Sequence, residues 1–105
     1  MVTFLTTNPE HCGIVKTDER GVLIDYFEKV INPPSNLANG AIFAFDNEFL
    51  NYFYNLNGEL NDFCADIVPK LKGKIQTYFT EEILIDIGNL KSLNLARGLS
   101  NEGKI

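Results

Sequence analysis

The chain is poor in the residues that most catalytic and metal-binding signatures need. It has no tryptophan, one methionine, one histidine and two cysteines among 105 residues. A zinc site wants four nitrogen or sulfur ligands at local spacings. His11, Cys12 and the distant Cys64 do not supply them. His11 and Cys12 are sequence neighbours, so on a strand they point to opposite faces, which argues against a cysteine–histidine nucleophile pair. Two cysteines make no disulfide framework, and a reduced pair in a cytoplasmic protein is the reading that follows. Basic residues are scarce too: nine Lys and Arg stand against 14 Asp and Glu, for a net charge of −5. That balance argues against nucleic acid and anionic membranes as partners. No apolar run approaches the roughly 20 residues of a membrane helix. The N-terminus lacks the basic region and long apolar stretch of a signal peptide. No Asn-x-Ser/Thr site occurs, and neither common glycine-rich phosphate loop is present.

What is present is bulk. The chain is 45% apolar with eight Phe and four Tyr, enough for a core in one domain at most, since chains average about 100–200 residues per domain. Met1 to Thr6 carries strand formers, and Asn8-Pro9-Glu10 is a turn. Gly13–Thr17 and Val22–Lys29 form a hairpin closed by Asp18-Glu19-Arg20-Gly21. Asn32-Pro33-Pro34-Ser35-Asn36 cannot be an inner strand, because proline has no ladder donor. The apolar run Ala41–Phe45 suits a central strand covered on both faces. Asp46 is placed to cap a helix burying Phe49, Leu50 and Phe53 and ending near Asn57-Gly58. A second helix from about Asp62 turns Phe63, Ile67, Val68 and Leu71 inward, and Pro69 breaks or restarts it. Lys74–Phe79 and Ile83–Ile87 follow as strands joined by Thr80-Glu81-Glu82. Asn89 caps a last helix with Leu90, Leu93, Ala96 and Leu99 on one stripe, ahead of a frayed tail from Ser100. Strands and helices alternate only partly, so the expected class is α/β, a mixed β-sheet with flanking helices.

The stretch from Phe27 to Phe45 draws the chemistry together. It opens with the acid–base pair Glu28-Lys29, crosses the proline loop, and re-enters an apolar run through Asn39-Gly40. A carboxylate and an amide suit sugar hydroxyls, and a lysine suits a phosphate as a point charge. An exposed strand end and a simple turn would account for the same residues. Asp86 interrupts the apolar Ile83–Ile87, where an unpaired charge is expensive; it either caps the next helix or faces a cation. Asp62 and Asp66 read as helix-start residues, and Cys64 as a small buried hydrophobe.

In order and spacing, five pieces resemble the sugar-1-phosphate nucleotidyltransferases, most closely the heptose- and mannose-1-phosphate guanylyltransferase branch. They are Cys12-Gly13-Ile14-Val15, Phe27-Glu28-Lys29-Val30, Asn32 through Ala41, Asp66-Ile67-Val68-Pro69 and Asp86-Ile87-Gly88-Asn89-Leu90. The likeness runs from about Cys12 to Ala96. It implies transfer of a nucleotidyl group, by branch likeness guanylyl, from an NTP to a sugar 1-phosphate with release of pyrophosphate. It also implies that Glu28, Asn39 and the Gly40 backbone hold sugar hydroxyls, that Lys29 contacts the phosphate, and that Asp86 binds catalytic Mg²⁺. Lys29 and Asp86 would then be the catalytic residues. The family's glycine-rich loop and second metal-binding aspartate have no counterpart here. The chain (residues 1–105) therefore corresponds to a single partial domain, the sugar-binding C-terminal part of a Rossmann-like nucleotidyltransferase domain. Such a portion would expose strand edges and an apolar face and so favour homo-oligomers. The alternative is a non-catalytic remnant that binds a sugar phosphate or a partner protein.

Overall fold

A computed structural model describes residues 1–105 as a mixed α/β fold around a five-stranded sheet. The strands are β1 (Val2–Leu5), β2 (Gly13–Thr17), β3 (Leu23–Glu28), β4 (Leu37–Asn39) and β5 (Tyr78–Phe79), in the order β3-β2-β4-β1-β5. The β2–β3 hairpin forms where the turn residues predict it. The Asp18 carboxylate accepts the Arg20 and Val22 amide N–H groups, each at 2.9 Å, and Gly21 takes a positive φ of 78° to close the bend. β1 pairs antiparallel with β4 and parallel with β5, which makes the sheet mixed.

Two expected strands do not form. Ala41–Phe45 is not the central strand; the inner position between β1 and β2 is taken by Leu37–Asn39, directly after the proline loop. The apolar run lies outside the sheet with Ile42 and Phe45 exposed. Its residues pack by aromatic contact instead: Phe45 stacks on Phe49 at 4.4 Å between ring centres, and Phe43 meets Phe63 edge-on at 5.0 Å. Ile83–Ile87 is also no strand, and Lys74–Phe79 contributes only the two residues of β5 plus a bridge from Gln76 to Val22. Around that bridge, Leu23 accepts the Gly73 amide N–H and donates to the Ile75 carbonyl, which covers the start of the outer strand β3.

The helices start where their caps are. Asp46 accepts the Phe49 amide N–H at 2.8 Å and opens α1 (Asn47–Tyr54). Asn89 accepts the Ser92 amide N–H at 2.9 Å and opens α2 (Leu90–Asn101), which runs two residues into the tail expected to fray. Asp62 likewise caps the wide helical turn Phe63–Ile67, and Pro69 restarts the chain as the tighter turn Val68–Leu71. Asp66 accepts the Asn61 and Asp62 amide N–H groups, which hold its carboxyl below the usual aspartate range. Ile67, Val68 and Leu71 are buried, as their pattern predicts. The core consists of these three with Ile14, Val15, Leu23, Tyr26 and Ala38, joined by buried Thr3. Neither α1 nor α2 buries a residue. No helix is long and apolar enough to cross a membrane.

Candidate functional site

Glu28 ends β3 and Asn39 ends β4, with β2 between them. Glu28 pairs with Gly13 across the hairpin, and Ile14 pairs with Ala38 on the other side. Continuing that antiparallel register by one residue sets Gly13 beside Asn39. Glu28, Gly13 and Asn39 therefore lie in one cross-strand row, and side chains of one row share a face of the sheet. The backbones that carry the acid and the amide are two strand spacings apart, about 10 Å.

Tyr26 closes the gap. It precedes Glu28 by two residues on β3, so it stands on the same face. Its ring leans over Gly13, where a Cβ would lie 1.9 Å from the phenol oxygen. From there the phenol donates to Glu28 Oε2 at 2.5 Å and accepts from Asn39 Nδ2 at 3.4 Å. Burial, with the Glu28 bond second, pushes the phenol far above its ordinary pKa, so it stays a donor. Asn39 Nδ2 also donates to Cys64 Sγ at 3.3 Å, while Asn39 Oδ1 accepts the Ala41 amide N–H at 2.8 Å. Cys64 packs against the core as expected of a small hydrophobe, yet its sulfur is also a polar member of this network. Burial raises its thiol pKa.

Lys29 follows at the strand end, 64% exposed, with Nζ 3.8 Å from Glu28 Oε1. Its φ is 50°, a left-handed conformation that a non-glycine residue adopts at a cost of about 1–3 kcal/mol and that recurs at ligand sites. Gly40 itself does not take a positive φ. Its neighbour Ala41, at φ 56°, makes the left-handed bend. The Gly40 N–H is engaged by the Val2 carbonyl at 2.9 Å, so only its carbonyl remains for a ligand. Glycine is needed there for close approach, since a Cβ would meet Leu84 at 3.0 Å and the Val2 carbonyl at 3.2 Å.

The structure thus links Glu28, Lys29 and Asn39 in one set of contacts, of which Asp86 is not a member. Asp86 is exposed, off any strand, and bends back to accept the Gly88 amide N–H at 2.9 Å; Asn89 does the capping of α2. No group of three potential metal ligands occurs. Asp86 alone still fits the one-carboxylate role that Mg²⁺ takes when waters and substrate phosphates complete its octahedron. Tyr26 and Cys64 are the site residues that the sequence reading did not single out. The two-residue spacing of Tyr26 and Glu28 on one strand was the available signal for Tyr26. Cys64 carried none, because it lies 25 residues from Asn39.

Two hollows lie elsewhere. One, of about 580 Å³, runs beside Phe43, Phe45, Phe49 and Tyr52, with Lys74 at 5.7 Å over the Tyr52 ring. The other, of about 310 Å³, lies between Phe4 and Leu84.

A family model described as nucleotidyl transferase matches residues 1–100. Among curated relatives, a glucose-1-phosphate adenylyltransferase of Thermotoga neapolitana is 33% identical over 88 residues, covering 76% of this chain and 21% of its own. A glucose-1-phosphate thymidylyltransferase of Xanthomonas campestris pv. campestris is 28% identical over 95 residues, covering 90% of this chain and 28% of its own. The bifunctional protein GlmU of Methanococcus aeolicus is 27% identical over 97 residues, covering 92% and 21%. The chain spans between a fifth and under a third of the length of these relatives.

Proposed function

The chain belongs to the nucleotidyl transferase family, and from that premise we propose that the Glu28–Asn39 corner is the sugar-phosphate side of a nucleotidyl-transfer site. The observation that carries this reading is the linked set itself. A carboxylate and an amide are held in one row of the sheet, with a lysine at its open end. Glu28 and Asn39 take sugar hydroxyls through their oxygens, and Lys29 takes the 1-phosphate. In the reaction, an oxygen of that phosphate attacks the α-phosphorus of an NTP. The new P–O bond forms as the bond to the β-phosphate breaks, and pyrophosphate leaves. Protein groups contribute by positioning the reactants and neutralising charge. Mg²⁺ supplies Lewis-acid neutralisation of phosphate oxygens when bound, and Asp86 is the residue here that would hold it.

The sugar and the base are finer proposals. The motif likeness to the heptose and mannose branch supports GTP. The relatives' names, adenylyl- and thymidylyltransferase acting on glucose 1-phosphate, support ATP or dTTP. Calorimetric titration of the chain with mannose, heptose and glucose 1-phosphates, with and without Mg²⁺, tests the acceptor site. Binding that drops at least tenfold in Lys29→Ala and in Glu28→Ala supports it, and binding unchanged by both removes it. Pyrophosphate release across a matrix of NTPs and sugar phosphates then separates the specificities. Binding without turnover would favour the non-catalytic reading.

A further inference from the structure

We infer that Tyr26 is a positioning residue of this site, bridging Glu28 and Asn39 across Gly13 so that each keeps an acceptor oxygen free for a ligand hydroxyl. The inference rests on the acceptor-site reading above and names how that site is built.

The argument is one of hydrogen-bond capacity. An ionised carboxylate only accepts, and an amide has two donor protons and one acceptor oxygen. Tyr26 occupies Glu28 Oε2, which leaves Oε1 with only the loose Lys29 contact at 3.8 Å. Asn39 directs Nδ2 at both Tyr26 and Cys64, so its donors are spent inside the protein. Its Oδ1 has one bond, from the Ala41 amide, and a second lone pair to spare. The network fixes which way the amide is turned: with nitrogen inward, oxygen is left for a ligand. Two acceptors fixed in one row select a ligand that offers hydroxyl donors, as a sugar does. The phenol is the one group bonded to both the carboxylate and the amide. Gly13 makes the bridge possible, because any side chain there would occupy the space of the phenol.

Tyr26→Phe is the direct test, since the ring still fills the space over Gly13 and only the hydroxyl is lost. Calorimetry with mannose 1-phosphate and glucose 1-phosphate would compare four chains: unaltered, Tyr26→Phe, Glu28→Ala/Asn39→Ala, and the triple variant. Tyr26→Phe is expected to weaken binding about tenfold in the unaltered background, the equivalent of about 1.4 kcal/mol, and less than twofold when Glu28 and Asn39 are already gone. Such non-additivity marks a residue acting through others, whereas a merely structural loss would multiply. If the unaltered chain binds and Tyr26→Phe binds within twofold of it, or the losses multiply, the positioning role falls and the acceptor site stands. If the unaltered chain binds neither sugar phosphate, the site reading falls and takes the role with it. Nitrogen-15 spectra of the unaltered chain give a second check that needs no variant. Slow solvent exchange of the Asn39 side-chain amide protons supports the bridge, and free exchange overturns it.

Discussion

Residues 3–71 and residues 80–105 are made of similar material and end in different states. Both carry capped helices and apolar runs, yet every buried residue lies in the first region and none in the second. Leu90 and Leu95 of α2 are 70% and 56% exposed. The radius of gyration, 15.1 Å, exceeds the roughly 13 Å of a packed domain of this length. The same split divides the candidate site. Glu28 and Asn39 are both bonded to buried Tyr26, whereas Asp86 is held by one local turn. Preorganisation follows burial here. Asn39 takes its orientation from Tyr26 and Cys64, partners 13 and 25 residues away.

The largest expected effect tests that division directly. Ile14→Ala, at a fully buried position, should lose about 2–5 kcal/mol in chemical denaturation. Leu90→Ala should stay within about 0.5 kcal/mol. Equal losses would show that α2 is packed in solution and would erase the contrast. Gly13→Ala comes next. The added methyl collides with the Tyr26 phenol, so stability should fall by about 1–3 kcal/mol. Sugar-phosphate binding should fall with it; unchanged binding would detach Gly13 from the site.

Lys29→Gly separates stability from function within the ordered region. Removing a left-handed non-glycine residue should raise stability by about 1 kcal/mol, while binding of a sugar 1-phosphate weakens through loss of the cation. A variant both less stable and fully binding would contradict both halves of that statement. The smallest effect is in acid. The backbone N–H groups of Val22 and Arg20 lower the pKa of Asp18, and the Lys72 ammonium 2.9 Å away lowers that of Asp25. A carboxyl whose folded pKa is depressed contributes stability above its unfolded pKa, and that contribution is lost as pH falls through the folded value. Thermal midpoints should therefore fall below about pH 4, and the slope should flatten in Asp18→Asn. An unchanged slope would remove Asp18 as a contributor.

Much of the local structure was legible in the sequence. The hairpin with its Asp18-to-Gly21 turn, the caps Asp46, Asp62 and Asn89, and the restart at Pro69 all rest on short-range chemistry that neighbours in sequence decide. Residue types also pointed to Glu28, Lys29 and Asn39, because an acid, a cation and an amide flanking a proline loop are poorly explained by packing. What misled was apolarity read as burial. Ala41–Phe45 and Ile83–Ile87 look like covered strands, but a strand exists only if a neighbour with free ladder groups lies beside it. The place between β1 and β2 went to Leu37–Asn39. The sequence by itself therefore determined the turns, the caps and the chemical character of the corner, since each depends on groups a few residues apart. Only the tertiary structure decided which segment became the inner strand and that Tyr26 bridges Glu28 and Asn39 over Gly13. Those outcomes depend on sheet register and strand spacing, which chain folding sets between residues far apart in sequence.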